Sequence, residues 1–247
     1  MDGYVDPAFR AVREIFEASF ADGGNAGAAV AVFAEGRAVA DLWGGLADAR
    51  TGRPWARDTP CVTFSCTKAI TATAALRVAQ ETGSSWDEPV TAWWPECAVA
   101  GKETTTLADL LTHQAGLPAF DRPVTAAQAA DPGAMAALLA RQHPVWEPGT
   151  RHGYHALTFG WLVGEFVRRR AGCPVGDYAR SYLGAGLRIG ISPREAEQAA
   201  RVASPPASQQ TRSADAGADR SGHRRPDDAG VPRPGIASDS RLVQSGR

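Results

Sequence analysis

Lysine is almost absent from this chain of 247 residues: of 26 basic side chains only Lys68 and Lys102 are lysines, and the rest are arginines. Excess charge of one sign is also missing, since 27 acidic residues balance the basic ones to a formal net charge of −1. With no basic block outside the C-terminal tail, the counterion release that drives nucleic-acid binding has no source, and no nucleic-acid partner is expected. No apolar run reaches membrane-spanning length, so no membrane partner is expected either. The N-terminal stretch MDGYVDPAFRAVREIFEASF carries acids from its second residue and lacks a basic segment followed by an apolar one, which argues against a secretory signal and for a cytoplasmic location. Paired CxxC cysteines are absent. Cys61, Cys66, Cys97 and Cys173 are too few and too scattered for a disulfide scaffold and read as reduced, mostly buried thiols. HExxH, GxGxxG, phosphate-loop and GxSxG motifs are missing too, so no metal or cofactor is expected and the α/β-hydrolase nucleophile elbow is excluded. His152 and His155 flank a tyrosine but lack a third ligand.

What is present has clear local order. Asp6 as N-cap and Pro7 at the first helical position open an amphipathic helix bearing Phe9, Val12, Ile15, Phe16 and Phe20. GAAVAVFAEGRAVADLWGG then reads as a β-hairpin around Glu35-Gly36, its second strand closed by Gly44-Gly45. From Ser65 to about Glu81 an alanine-rich segment without glycine or proline predicts a helix apolar on most faces, suited to the interior. Thr106 and Asp109 form a capping pair before Gly116 and Pro118, and Asp131-Pro132 starts another short helix. A further helix runs from about Leu157 to Arg169, with Arg168, Arg169 and Arg170 where the helix dipole favours positive charge. Trp86, Trp93, Trp94, Trp146 and Trp161 read as core or pocket wall.

Chemistry concentrates at TFSCTKAI, residues 63–70. A serine hydroxyl needs a neighbouring base, and an amine serves only where dry surroundings or nearby charge lower its pKa. Helical i, i+3 spacing puts Lys68 one turn beyond Ser65 on the same face, and at a helix start the Ser65 N–H is free to help bind an oxyanion. SxxK alone is a weak signal. Its weight here comes from apolar flanks and from the rarity of lysine. Tyr154, in the glycine-bearing loop RHGYHA before a helix, is the second candidate, a phenol able to relay a proton.

Taken together, Ser65-Cys66-Thr67-Lys68, DLLTHQAGLP at 109–118, SSWDEPVTAWWPE and WEPGTRHGYHALTFGWLVGE resemble the serine β-lactamase and penicillin-binding-protein superfamily, within it the β-lactamase-like, family VIII-type carboxylesterases. The likeness covers about residues 5–203. It implies an α/β (α+β) fold, an antiparallel sheet with a helical subdomain, and catalytic roles for Ser65 as acylated nucleophile, Lys68 as its base and Tyr154 as proton relay. The expected partner is a small-molecule ester, cleaved through an acyl-enzyme. Penicillin-recognising members usually carry Asn two residues after the tyrosine; here Ala156 stands there, favouring the esterase branch over a β-lactamase or D,D-peptidase. His113 is read as structural, since the resemblance gives its segment no chemistry.

A third motif of the K-T-G, H-x-G or W-x-G kind, expected on a C-terminal strand pairing with the N-terminal hairpin, is not found. Residues 204–247 hold seven Ser, seven Arg, five Pro, five Gly and five Asp, no aromatic and four of Val, Ile, Leu and Met together, a composition expected to stay disordered. A shifted or truncated reading frame in a GC-rich gene would produce it. The expectations are therefore a hydrolase domain over 1–203 with its C-terminal strands missing, a tail over 204–247, and weak or no activity, down to a catalytically dead fragment. The sequence does not fix the oligomeric state.

Overall fold

The computed structural model describes residues 1–21 and 25–202; the tail expected over 204–247 lies outside the described residues. Two compact units divide the chain, one formed by Met1–Val62 with the described residues from Ser192 onward, the other by Thr63–Ile191.

In the first unit, Asp6 accepts from the Ala8 N–H at 3.0 Å and Pro7 leads a 3₁₀ turn, Pro7–Phe9, into helix α1, Arg10–Ala18. Phe16 of this helix is buried, whereas Ile15, expected on the same face, is exposed. The antiparallel sheet has the order β1-β3-β2, with strands β1 (Asp2–Val5), β2 (Gly27–Ala34) and β3 (Arg37–Asp48), and a short β4 (Arg53–Pro54) that pairs with the end of β3. Glu35 and Gly36 both adopt positive φ, 48° and 74°, the pair of values a type I′ hairpin turn requires. Two features depart from the sequence reading. The strand β1 pairs across β3 from Asp2↔Trp43 to Val5↔Ala40. And β3 runs through Gly44-Gly45 to Asp48, because Gly27 and Ala28 of β2 stay in register opposite the two glycines. Val39, Ala40, Leu42 and Ala47 of this central strand are buried. The short helix Pro193–Gln198 returns to the unit, where Arg53 donates to the Gln198 and Ala199 carbonyls and the Arg201 N–H reaches Ala47 O.

The second unit is helical. Its helices are α2 (Thr67–Thr82), α3 (Leu107–Leu111), α4 (Ala126–Ala129), α5 (Pro132–Arg141), α6 (Thr158–Ala171) and α7 (Val175–Tyr178). Its core joins Ala74, Ala75 and Val78 of α2 to Leu139 of α5, Leu162, Val163 and Phe166 of α6, and the buried Trp93 and Trp94. The helix α2 is not apolar all round. Thr71, Ala74, Ala75, Val78 and Ala79 are buried, while Leu76, Arg77 and Gln80 are exposed. The expected caps are present: Thr106 and Asp109 form a reciprocal capping box, and Asp131 caps α5 through the Ala134 N–H. The arginines ending α6 do more than meet its dipole. Arg168 and Arg169 pair with the buried Glu165 at 2.7 and 2.6 Å, and Arg169 and Arg170 reach Glu96 and Glu88. The cysteines divide. Cys97 is buried, with its thiol pushed up to about 12 by desolvation, but Cys61 and Cys66 are exposed, against the expectation of mostly buried thiols.

Three buried polar side chains knit the unit. Lys102, 1% exposed, donates to Val99 O at 3.0 Å and to Gln142 O, at the end of α5, at 2.6 Å. Gln142 in turn donates to Ala119 O and accepts from the Asp121 N–H, fixing the loop after α3. His155 is fully buried. Its Nε2 accepts from the Leu117 N–H at 3.0 Å, so Nδ1 carries the proton and donates to Gly153 O at 2.6 Å.

Both arrangements have measurable consequences. Lys102→Ala strands the buried Gln142 carbonyl, loses the bond to the part-buried Val99 carbonyl and leaves a cavity, and should cost about 2–4 kcal/mol, read as a lower urea midpoint. Burial pushes the His155 pKa down to about 4, and burial also lowers that of His113. A histidine with a depressed folded pKa contributes stability that is complete above the unfolded value of about 6.5 and is lost as pH falls toward the folded one. For His155 the whole window is worth about 3 kcal/mol. Urea midpoints should therefore begin to fall between pH 6.5 and 5, above the range where carboxylates titrate; a flat response there contradicts the assignment.

Candidate active site

Ser65 does not start α2. It lies in a 3₁₀ turn, Phe64–Cys66, that feeds into the helix at Thr67. The turn is entered through a strained residue: Phe64 has φ +44°, a conformation costing a bulky side chain on the order of 1–3 kcal/mol. Lys68, in the first turn of α2, is half-buried.

The loop before α6 brings the third candidate to the same place. Tyr154 OH donates to Ser65 Oγ at 2.7 Å, across 89 residues of sequence. Lys68 Nζ lies 3.2 Å from the same Oγ and donates to the Ala156 carbonyl at 2.7 Å. Nζ also sits 4.8 Å from the centre of the Tyr154 ring and 5.9 Å from that of Phe159. All three sequence-predicted residues thus converge on one hydroxyl. Hydrogen bonds with Ser65 and then Lys68, with the lysine's charge, hold the Tyr154 phenol below its ordinary pKa. The hydroxyl faces open surroundings. Ser65 is exposed and Tyr154 is 52% exposed, with Phe64 and Leu157 beside them in sequence also open to solvent.

The shape of the tyrosine loop is set by its neighbours. Trp146 donates from Nε1 to Gln114 O, and its ring covers Gly153 so closely that a Cβ there would lie 2.4 Å from the indole. The Gly153 N–H bonds His113 O, and the His155 N–H bonds His113 Nδ1. Sequence reading names His113 only as structural and gives no part to His155 beyond its place beside Tyr154. The one available signal was the packing of three histidines around a tyrosine, His113 in LLTHQAGLP and two more in RHGYHA. Among the described residues no group of three or more His, Cys, Asp or Glu side chains is arranged to hold a metal ion. No helix among them is long and apolar enough to cross a membrane.

An oxygen nucleophile with an amine and a phenol within hydrogen-bond reach can attack a carbonyl, lose its proton and return one to a leaving group. Residues 12–241 match the Beta-lactamase family model. The chain is 35% identical over 199 residues to the esterase/beta-lactamase LipL of Mycobacterium tuberculosis, an alignment covering 78% of this chain and 46% of LipL. Among solved structures it is similar to a family VIII carboxylesterase, with 40% identity and a TM-score of 0.76 over 82% of this chain and 57% of that one. It is equally similar to a penicillin-binding-protein homologue from Caulobacter crescentus, with 39% identity and a TM-score of 0.77 over 84% and 57%. The chain spans about half the length of these relatives. Its mixed architecture, an antiparallel sheet and a helical unit, is that of the β-lactamase-like fold, and with the family match extending over most of its length the chain belongs to the beta-lactamase family.

Proposed function

We propose that this chain carries the acyl-transfer site of a serine hydrolase acting on small carboxylic esters. The observation that carries the reading is the double contact on Ser65 Oγ, from Lys68 Nζ at 3.2 Å and Tyr154 OH at 2.7 Å. In the first half-reaction Oγ attacks the ester carbonyl carbon and its proton passes to uncharged Lys68. The tetrahedral intermediate collapses, the C–O bond to the alcohol breaks, and Tyr154 gives its proton to the departing alkoxide while Lys68 reprotonates the phenol. Water then attacks the carbonyl of the Ser65 ester, losing its proton to the same pair; the acyl C–Oγ bond breaks, that proton passes to Oγ, and the acid leaves.

Support for an ester comes from three sides. Ala156 offers a methyl group where an amide would be needed to hold a lactam side chain, while its carbonyl is taken by Lys68. Exposed Phe64 and Leu157 adjoin the site in sequence and suit an apolar acyl or alcohol group. The similar carboxylesterase bears an esterase name, and LipL is named both esterase and beta-lactamase. A β-lactamase or D,D-peptidase activity is the second reading, drawn from the penicillin-binding-protein homologue. A labelled penicillin that acylates Ser65 and leaves slowly would favour it.

We further propose that the domain spans residues 1–203 and that the polypeptide as written is weak or inactive, because the second oxyanion donor usual in such enzymes is missing from its sequence. Loss of one such donor costs about a hundredfold to a thousandfold in rate. Short-chain ester hydrolysis at the rate of a full-length esterase would refute this, whereas a chain that aggregates without a cooperative thermal transition would mark a dead fragment.

A fluorophosphonate probe tests the site without needing turnover. The adduct should map to Ser65 and vanish in Ser65→Ala. Lys68→Ala and Tyr154→Phe should slow its formation by about a hundredfold or more. Labelling that survives Ser65→Ala overturns the reading.

A further inference from the structure

His113 has no part in the chemistry above, yet its contacts surround Tyr154. It sits in the loop after α3 with φ +63°, a conformation that is costly for a non-glycine residue. In that conformation it makes two bonds to one segment. Its carbonyl accepts from the Gly153 N–H at 3.1 Å, and its Nδ1 accepts from the His155 N–H at 3.1 Å. One residue therefore holds the peptide groups on both sides of Tyr154. Its ring lies 5.0 Å from the Tyr154 ring, 5.1 Å from Phe159, 5.5 Å from His155 and 5.9 Å from His152.

We propose that His113 is a positioning residue for Tyr154: its neutral imidazole, unprotonated at Nδ1, brackets the loop so that the phenol reaches Ser65, and protonation of His113 opens the bracket. The proposal rests on the reading of Ser65 and Tyr154 as partners in acyl transfer. The chemistry of the ring is decisive. An imidazole nitrogen accepts a hydrogen bond only when it carries no proton, so the neutral ring must be the Nε2–H tautomer, and an imidazolium would turn Nδ1 into a second donor facing the His155 N–H. The titratable groups around it are Lys68 from α2 and His152, Tyr154 and His155 from the loop before α6. The basic ones oppose another positive charge. Burial first, then the charges of His152 and Lys68, hold the His113 pKa below its ordinary value. The bracket is thus closed at neutral pH and opens in acid.

Two measurements on the full chain decide the matter. In 15N-histidine-labelled protein, long-range 1H–15N correlation should show His113 as the Nε2–H tautomer at neutral pH, titrating below about 6.5; a proton on Nδ1 overturns the proposal. The rate of Ser65 phosphonylation should fall in acid with a midpoint matching the His113 titration. His113→Ala should lower the rate about tenfold or more. His113→Asn supplies a non-titrating acceptor near the Nδ1 position and tolerates a left-handed backbone. It should recover most of what His113→Ala loses, without the acid midpoint. A profile in His113→Asn that keeps the wild-type midpoint overturns the proposal. If wild-type Ser65 is not phosphonylated at any pH, the acyl-transfer reading fails, and the tautomer alone decides the bracket.

Discussion

The second unit is organised around a convergence: two side chains from distant parts of the sequence meet on the oxygen of Ser65. A hydroxyl can accept from both only if α2 and the loop before α6 are held at fixed separation, and a shift of about 1 Å would break both bonds. Much of the surrounding architecture reads as the means of holding it. The arginines ending α6 tie that helix to Glu88 and Glu96 and clamp its own buried Glu165. Ala74, Ala75 and Val78 let α2 lie close against Leu162 and Phe166. Buried Lys102 and Gln142 pin the loop that carries Leu117, whose N–H is bound by His155.

Those supports are polar and buried, an arrangement with sharp energetics. Each carbonyl that Lys102 satisfies would cost desolvation free energy if abandoned, and the bonds accepted by His155 Nε2 and His113 Nδ1 require that those nitrogens carry no proton. The unit trades some tolerance of acid for a rigid backbone around its reactive group. Strain is concentrated in the same neighbourhood, at Phe64 beside the serine and at His113 beneath the tyrosine, where positive φ values persist because packing and hydrogen bonds overrule local preference.

The parts legible in the sequence are those whose signal is local. Asp6-Pro7, the Thr106–Asp109 box and Asp131-Pro132 announce their helices because a cap is a bond between near neighbours, and Glu35-Gly36 announces its hairpin because the turn needs two positive φ values. Ser65 and Lys68 are legible for the same reason, one helical turn apart. Tyr154 needs more: nothing in GYHA says that its hydroxyl reaches Ser65, and only the resemblance to a family suggested it. The strand β1 was invisible because four residues with a glycine at positive φ carry no alternating pattern, and its pairing is supplied by β3. Lys102 was invisible for the opposite reason: a lysine reads as surface, and its two carbonyl partners come from a loop and a helix end that only tertiary structure brings together. Exposure of Cys66 and Cys61 follows from their place at the entry to α2 rather than from their residue type.

The scarcity of lysine has a practical side. With Lys102 sealed inside the helical unit, Lys68 is the one lysine within reach of solvent, and apart from the amino terminus it is the chain's one available aliphatic amine. Arginine guanidinium groups stay protonated and do not compete for acylating reagents. Activated esters, aldehydes or cyanate, which on most proteins scatter over a dozen amines, would here find two, the amino terminus and the lysine beside the serine, so the composition itself turns a general amine reagent into an address label for this site.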